Sequence, residues 1–347
     1  MTFSYVFTLA MGKTTRYKDI ILASSPEEIF GDVKDLSSLD EKYDDISREV
    51  SGKVKDLLDQ FYGSAKIGMT LGVYGAKKSN TSKKGANIIV NGQEYLIKGD
   101  VVEGDFSEVY HGNKLSNDLE EICIKVASNL ENNSLLKTEA YVLGKLDHKS
   151  LPKIIDSFTL EDGRRANIME SIVDSYDLYT LREKFPAGID PYHASWILER
   201  LLSVLGYVHS KKIIHGGIEP GNVMITSKDH NGFMIDFTLA VPEAHRPGAK
   251  YKGSNDYSAP EIESGEKPNP AVDMYSLGLT MTYLLGSDDG TIPKKIDSRL
   301  AGFISGFLEK DPSKRKNDAW KEYHDLKKLR WEVFGPPQFR NLEIKEV

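Results

Sequence analysis

Residues 213–225 read "IIHGGIEPGNVMI". Two apolar residues lead into His215, a pair of glycines, an acid, a Pro-Gly step and Asn222, after which a second apolar run begins. The stretch is delivered by an apolar helical segment, "SWILERLLSVLGYVHS" (195–210), introduced by Asp190-Pro191. That pair supplies a capping carboxylate and then the one residue type that loses nothing by lacking an N–H in the first helical turn. Downstream, Val223–Ile225 is expected to form a short strand, "KDHNG" (228–232) a turn, and "FMID" (233–236) a second strand ending in Asp236-Phe237-Thr238. Asn222 and Asp236 thereby sit on adjacent loops, two hard oxygen donors within one supersecondary unit.

The bulk composition bounds the alternatives. The chain has 347 residues, 45 basic and 52 acidic, for a net charge of −7. That balance offers no global attraction to nucleic acid or to anionic lipid. One cysteine, Cys123, excludes an internal disulfide framework and suits a reducing, cytoplasmic setting. No apolar run reaches the roughly 18 residues of a membrane span. The N-terminal "SYVFTLAM" (4–11) is short and lacks a basic leader, so it is not read as a signal peptide. "MGKTT" (11–15) has the end of a phosphate-binding loop but Phe7 where the first glycine belongs, so it is read as a surface turn.

Between the N-terminus and the opening stretch the periodicity changes twice. Leu39, Tyr43, Ile46, Val50, Val54, Leu57 and Phe61 recur every three or four residues after a capping-box sequence at Ser38–Glu41, predicting an amphipathic helix over 36–62. Residues 1–75 are therefore taken as a small helical region. "GAKKSNTSKKGAN" (75–87) has four lysines and no acids and reads as a basic linker over 76–87. Asn91-Gly92 between two β-prone runs predicts a hairpin. Strand-like segments continue to about residue 126, and a helix follows to about 146. After residue 190 the predicted elements are nearly all helical.

Two charged side chains stand out in that middle section. In "EEICIKVAS" (120–128) alternation places Cys123 and Lys125 on one face and Ile122 and Ile124 on the other. In the helix "NNSLLKTEAYVLGKLDH" (132–148) Glu139 falls on the apolar face between Leu136 and Leu143. A buried carboxylate needs a counter-charge, and Lys125 is the expected partner, as against a lysine on an edge strand facing water.

These fragments resemble, in collinear order, the motifs of the protein kinases. "EGDFSEVY" (103–110) is similar to the glycine-rich loop, keeping only Gly104, with Val102 and Ser107 at the other two glycine positions; taken alone it is also an ordinary β-turn. "ICIK" resembles the strand carrying the phosphate-binding lysine, and Glu139 its helical partner. "HGGIEPGN" is similar to H-R-D-x-K-x-x-N, and Asp236-Phe237-Thr238 to D-F-G. "GSNDYSAPE" (253–261), "VDMYSLG" (272–278) and "EKDPSKR" (309–315) resemble the end of the activation segment, the helix with a buried acid (Asp273), and the arginine (Arg315) that pairs Glu261.

The resemblance implies an α+β, bilobal protein-kinase-like fold, with a β-rich lobe over 88–171, a helical lobe over 172–335 and a tail over 336–347. It implies ATP and Mg²⁺ as cofactors. The nucleotide would be held by Gly104, Val109, Cys123, Lys125, Glu139, Met169, Glu170, Ile172 and Met224, and the metal by Asn222 and Asp236. Several of these are equally plain core residues. His215, with Leu143, Ile154 and Phe237, is implied to be an apolar spine rather than an acid or base. The runs "NIMESIVDSYDLYTLREKFPAGIDP" and "LRWEVFGPPQFR" narrow the likeness to a bacterial and phage family in which a kinase-like domain follows a J-domain-like region. The His-Pro-Asp motif of J-domains cannot occur here, because no histidine precedes His111.

The departures shape the functional expectation. Gly217 replaces the aspartate that accepts the substrate proton. Glu219 reverses the charge of a phosphate-contacting lysine, and Gly216 removes the arginine that reads a phosphorylated activation segment. The chain is expected to be a nucleotide-binding pseudokinase that regulates or scaffolds an unidentified protein partner. The alternative is a transferase of phosphoryl or nucleotidyl groups by non-standard chemistry using Glu219 and Asp236. A third reading is an interaction protein with an empty cleft.

Overall fold

A computed structural model describes residues 85–115, 120–226 and 231–344. The helix expected over 36–62, the surface turn at 11–15 and most of the basic linker lie outside them. The chain divides into two compact units. The first comprises the described residues up to Asn133 together with Ile155–Ser171, and the second comprises Ser134–Ile154 and the chain from Ile172 onward.

The first unit is built on strands β1 (Gly85–Val90), β2 (Gln93–Glu103), β3 (Ser107–Lys114), β4 (Glu120–Ala127), β5 (Ile154–Thr159) and β6 (Arg165–Glu170). They form one sheet in the order β1-β2-β3-β4-β6-β5. The expected hairpin is present: Val90 pairs Gln93, and Asn91 and Gly92 take φ of 49° and 80°. Both central residues are left-handed, the geometry that asparagine and glycine tolerate and that matches strand twist. β1 begins at Gly85, inside the stretch expected to be linker, because its backbone pairs with β2 as far as Lys98. Strand pairing is a main-chain property and does not require the apolar side chains that sequence reading looks for.

Alternation sets the core. Ile122, Ile124 and Val126 of β4 pack with Ile88, Tyr95, Ile97, Tyr110, Ala166 and Ile168. Burial of each large aliphatic side chain is worth about 1.5–3 kcal/mol. The odd-numbered residues of β4 consequently take the opposite face.

The second unit contains α1 (Asn133–Leu143), α2 (Leu178–Lys184), α3 (Pro191–Ser210), α4 (Pro260–Glu263), α5 (Ala271–Leu284), α6 (Ser298–Ser305) and α7 (Ala319–Phe334). A three-stranded sheet in the order β7-β8-β9 comprises Ser175–Asp177, Val223–Thr226 and Asn231–Met234. Asp190 caps α3 as expected, its side chain accepting from the Tyr192 amide with Pro191 in the first turn. α5 is buried on nearly all sides, which marks it as the centre of this unit. Glu261 and Arg315 form a buried bidentate pair, with Arg315 Nη2 donating to Glu261 Oε2 at 3.1 Å. Among the described residues no helix is long and apolar enough to cross a membrane.

Candidate functional site

In the first unit Val109, Cys123, Lys125 and Met169 share the sheet face opposite the core. β4 lies between β3 and β6, so Lys125 is not on an edge strand, and it is only 4% exposed. Val109, Lys125 and Asn167 stand on one rung across the three strands, and His111, Cys123 and Met169 on the next. Asn167 was not singled out by the sequence. It is fully buried and accepts from Ser157 Oγ at 2.6 Å, which in turn accepts from Arg165. A lone asparagine inside an apolar run gives no sequence signal; only strand register places it opposite Lys125.

The turn bearing Gly104 joins β2 to β3, and the Gly104 amide donates to the Ser107 carbonyl at 2.9 Å. Val102 points outward, 57% exposed, and Ser107 is buried. Glu170 closes β6 on the surface, and Ser171 ends the unit with its amide donating to Glu121.

In the second unit the opening stretch forms a loop fastened on all sides. Asp273, 1% exposed on α5, accepts from the His215 amide at 2.9 Å, from the Gly216 amide at 2.8 Å, and from His209 Nε2 at 2.8 Å. Burial pushes its carboxyl up, but the His209 hydrogen bond, the neighbouring histidines and the backbone amide outweigh it and hold the carboxyl below its ordinary value. His215 donates from Nε2 to the Ile235 carbonyl at 3.0 Å, and its Nδ1 accepts from the Gly217 amide at 3.2 Å. Both ring nitrogens are thus engaged by neutral backbone groups, and the ring packs 4.4 Å from that of the fully buried Phe237. This is the scaffold role expected of His215.

Asn222 follows a 3₁₀ turn over Pro220–Asn222. Its Nδ2 donates to the Gly217 carbonyl at 2.8 Å, and its own carbonyl accepts from the Ile235 amide at 3.0 Å. The two loops carrying Asn222 and Asp236 are therefore stitched together directly. Asp236 adopts φ 63°, uncommon for a residue with a side chain. Its Oδ1 accepts from the Thr238 amide at 3.1 Å and from Thr238 Oγ1 at 2.6 Å.

The two glycines prove different in kind. Gly216 has φ +72°, and a Cβ there would lie 2.6 Å from the Leu239 carbonyl oxygen; the backbone requires glycine. Gly217 is outside the left-handed region, and the three atoms nearest a Cβ there would be Leu239 side-chain atoms at 3.5–3.7 Å, which is ordinary contact. A Cβ at this position is thus not excluded by the fold.

Glu219 is half-buried beside an aromatic group. The Cβ position at Gly221 lies 3.2 Å from the Tyr179 ring and 3.7 Å from Glu219 Oε1. The Tyr257 hydroxyl donates to that of Tyr179. Burial, followed for Tyr257 by Tyr179, pushes both phenols up, and the Glu219 charge adds to this. Met224 sits on β8 opposite Asp177, with its side chain partly exposed between the buried Val223 and Ile225.

Glu139 is fully buried on α1, and Ile172 opens the second unit with its carbonyl accepting from Ser175 Oγ. Among the described residues no group of three or more His, Cys, Asp or Glu side chains could hold a metal. Asn222 and Asp236 offer an amide and a carboxylate, which suits Mg²⁺: it takes one or two protein carboxylates and completes its shell with water and phosphate oxygens.

Comparison with known proteins fits this arrangement. Serine/threonine-protein kinase D of Synechocystis sp. is 30% identical over 220 residues, covering 56% of this chain and 42% of that protein. The PAS domain-containing serine/threonine-protein kinase of Mus musculus is 29% identical over 191 residues, 51% of this chain and 14% of its own length. The chain thus spans less than half of these relatives. Residues 95–289 match the protein kinase domain, more than half of the chain, and the chain belongs to the protein kinase domain family.

Proposed function

We propose that this protein is a pseudokinase: a domain that binds ATP with Mg²⁺ and acts on an unidentified protein partner through its bound state, with phosphoryl transfer impaired. The observation that supports the reading most is the loop at 215–222. Its anchors to Asp273, Ile235 and Asn222 are all formed, while the position for a proton-accepting carboxylate holds Gly217. Lys125 is assigned to the phosphates, Asn222 and Asp236 to the metal, and Val109, Cys123, Met169, Glu170, Ile172 and Met224 to the base. General acid–base help contributes about 10²–10⁴-fold. A kinase running at about 1–100 s⁻¹ would fall to roughly 10⁻⁴–1 s⁻¹ without it.

Thermal shift with a panel of nucleotides and divalent metals tests the binding half. Mg-ATP should raise the melting temperature of the wild-type chain, and Lys125→Ala should abolish the rise. No shift with any nucleotide and metal would refute the reading.

A second reading rests on Glu219, whose carboxylate is half-buried near Tyr179 and Tyr257. In that case the chain transfers phosphoryl or nucleotidyl groups with Glu219 as a substitute base. Intact-mass analysis after incubation with Mg-ATP distinguishes the two: adducts of phosphate or nucleotide size would displace the pseudokinase reading. If Glu219→Gln left such activity unchanged, the substitute-base version would fail.

A further inference from the structure

The residue after Phe237 carries a side chain that does something its expected glycine could not. Thr238 is 3% exposed, and its Oγ1 donates to Asp236 Oδ1 at 2.6 Å while its amide donates to the same oxygen at 3.1 Å. An O–H···O⁻ bond of that length lies in the charge-assisted range, and burial removes competing water. Threonine is also stiff at χ1, so the hydroxyl is held where it is needed. On the other side, Phe237 is clamped against His215, itself bonded to the Ile235 carbonyl. Asp236 is therefore fixed from both directions in a left-handed conformation that a non-glycine residue seldom occupies.

We infer that Thr238 is a positioning residue for a divalent cation. Its hydroxyl orients the Asp236 carboxylate toward the cation, as the Asn222 amide is oriented by its bond to the Gly217 carbonyl. Asn222 donates through Nδ2 to the Gly217 carbonyl, and Asp236 accepts at Oδ1 from Thr238. The inference rests on the nucleotide–metal reading above and adds to it a side chain that sets metal dependence.

The experiment measures ADP binding to the full chain by calorimetry, with Mg²⁺ and with EDTA, in wild type, Thr238→Val, Thr238→Ala and Thr238→Ser. A hydrogen bond to a charged group is typically strong enough that losing it weakens binding about tenfold or more. Thr238→Val and Thr238→Ala should therefore bind Mg-ADP about tenfold more weakly, with EDTA affinity unchanged, and Thr238→Ser should restore most of the loss. Equal Mg-ADP affinity in wild type and both hydroxyl-less variants would overturn the role of Thr238 alone. Equal losses with and without metal would also overturn it, because the residue would then be merely structural. A wild-type chain that binds no nucleotide in either condition would overturn both this inference and the binding reading beneath it. Alanine backs up valine should the added methyl group prevent folding.

Discussion

Introducing a carboxylate at position 217 is the most direct check on the proposal that transfer is slow. The atoms nearest a Cβ at Gly217 all belong to the flexible Leu239 side chain, at 3.5–3.7 Å, so the Cβ of Gly217→Asp needs no backbone movement. Where the conformation suits a side chain, replacing glycine reduces unfolded-chain entropy and stabilises by about 0.4–1 kcal/mol. An added charge two residues from Glu219 opposes this by a similar amount when screened by solvent, so the melting temperature should move by no more than about 4 °C. The loop that would carry the new carboxylate is already anchored through the His215 and Gly216 amides, the Gly217 carbonyl and His215 Nε2. It should therefore deliver most of the 10²–10⁴-fold expected of a positioned base, which is about 2.7–5.4 kcal/mol off the barrier at 1.36 kcal/mol per decade. The assay is transfer of radiolabelled phosphate from Mg-ATP to the chain itself and to a generic acceptor such as casein, beside a Mg-ATP thermal shift that shows the site intact. A folded, nucleotide-binding Gly217→Asp variant with less than a threefold gain would refute the idea that the base is what is missing. Glu219, opposite in charge to the residue kinases use, would then be the deficiency to examine.

Three further outcomes follow from the same geometry. Gly216→Ala should be costly where Gly217→Asp is not: the left-handed backbone and the 2.6 Å approach to the Leu239 carbonyl predict a loss of at least about 1–3 kcal/mol, read from the urea midpoint. Asp273 is depressed below its ordinary value of 3.8, so its contribution is full above that pH and is lost as pH falls through the lower folded-state value. Asp273→Asn should lower stability at pH 7 and flatten the acid limb of the stability curve below about pH 4; an unchanged acid limb would show that another carboxylate governs it. Arg315→Leu should cost about 3–5 kcal/mol by stranding the buried Glu261, and the double variant Arg315→Leu/Glu261→Leu should recover much of that loss in chemical denaturation.

Much of the fold was legible in the chain because its signals are local. Asn91-Gly92 dictated a hairpin through two left-handed residues; Asp190-Pro191 dictated a helix start; alternation in β4 sorted Ile122 and Ile124 from Cys123 and Lys125. The Glu261–Arg315 pair was legible only through likeness to kinases, since fifty-four residues separate its members. Asn167, the His209–Asp273 bond and the Tyr179–Tyr257 contact were not read at all. Each depends on register or on packing between distant segments, and neither leaves a periodic trace.

The sequence by itself determined the residue types of "HGGIEPGN": which positions carry an amide or a carboxylate and which carry none. It could not distinguish its two glycines. Tertiary structure did so, because the Leu239 carbonyl crowds one and the nearest neighbour of the other is the Leu239 side chain at ordinary contact distance. It also turned Thr238 from a substitution into a bonded partner of Asp236. A residue's identity is local, but the space around its Cβ and the atom its hydroxyl reaches are set by chain that folds back from elsewhere.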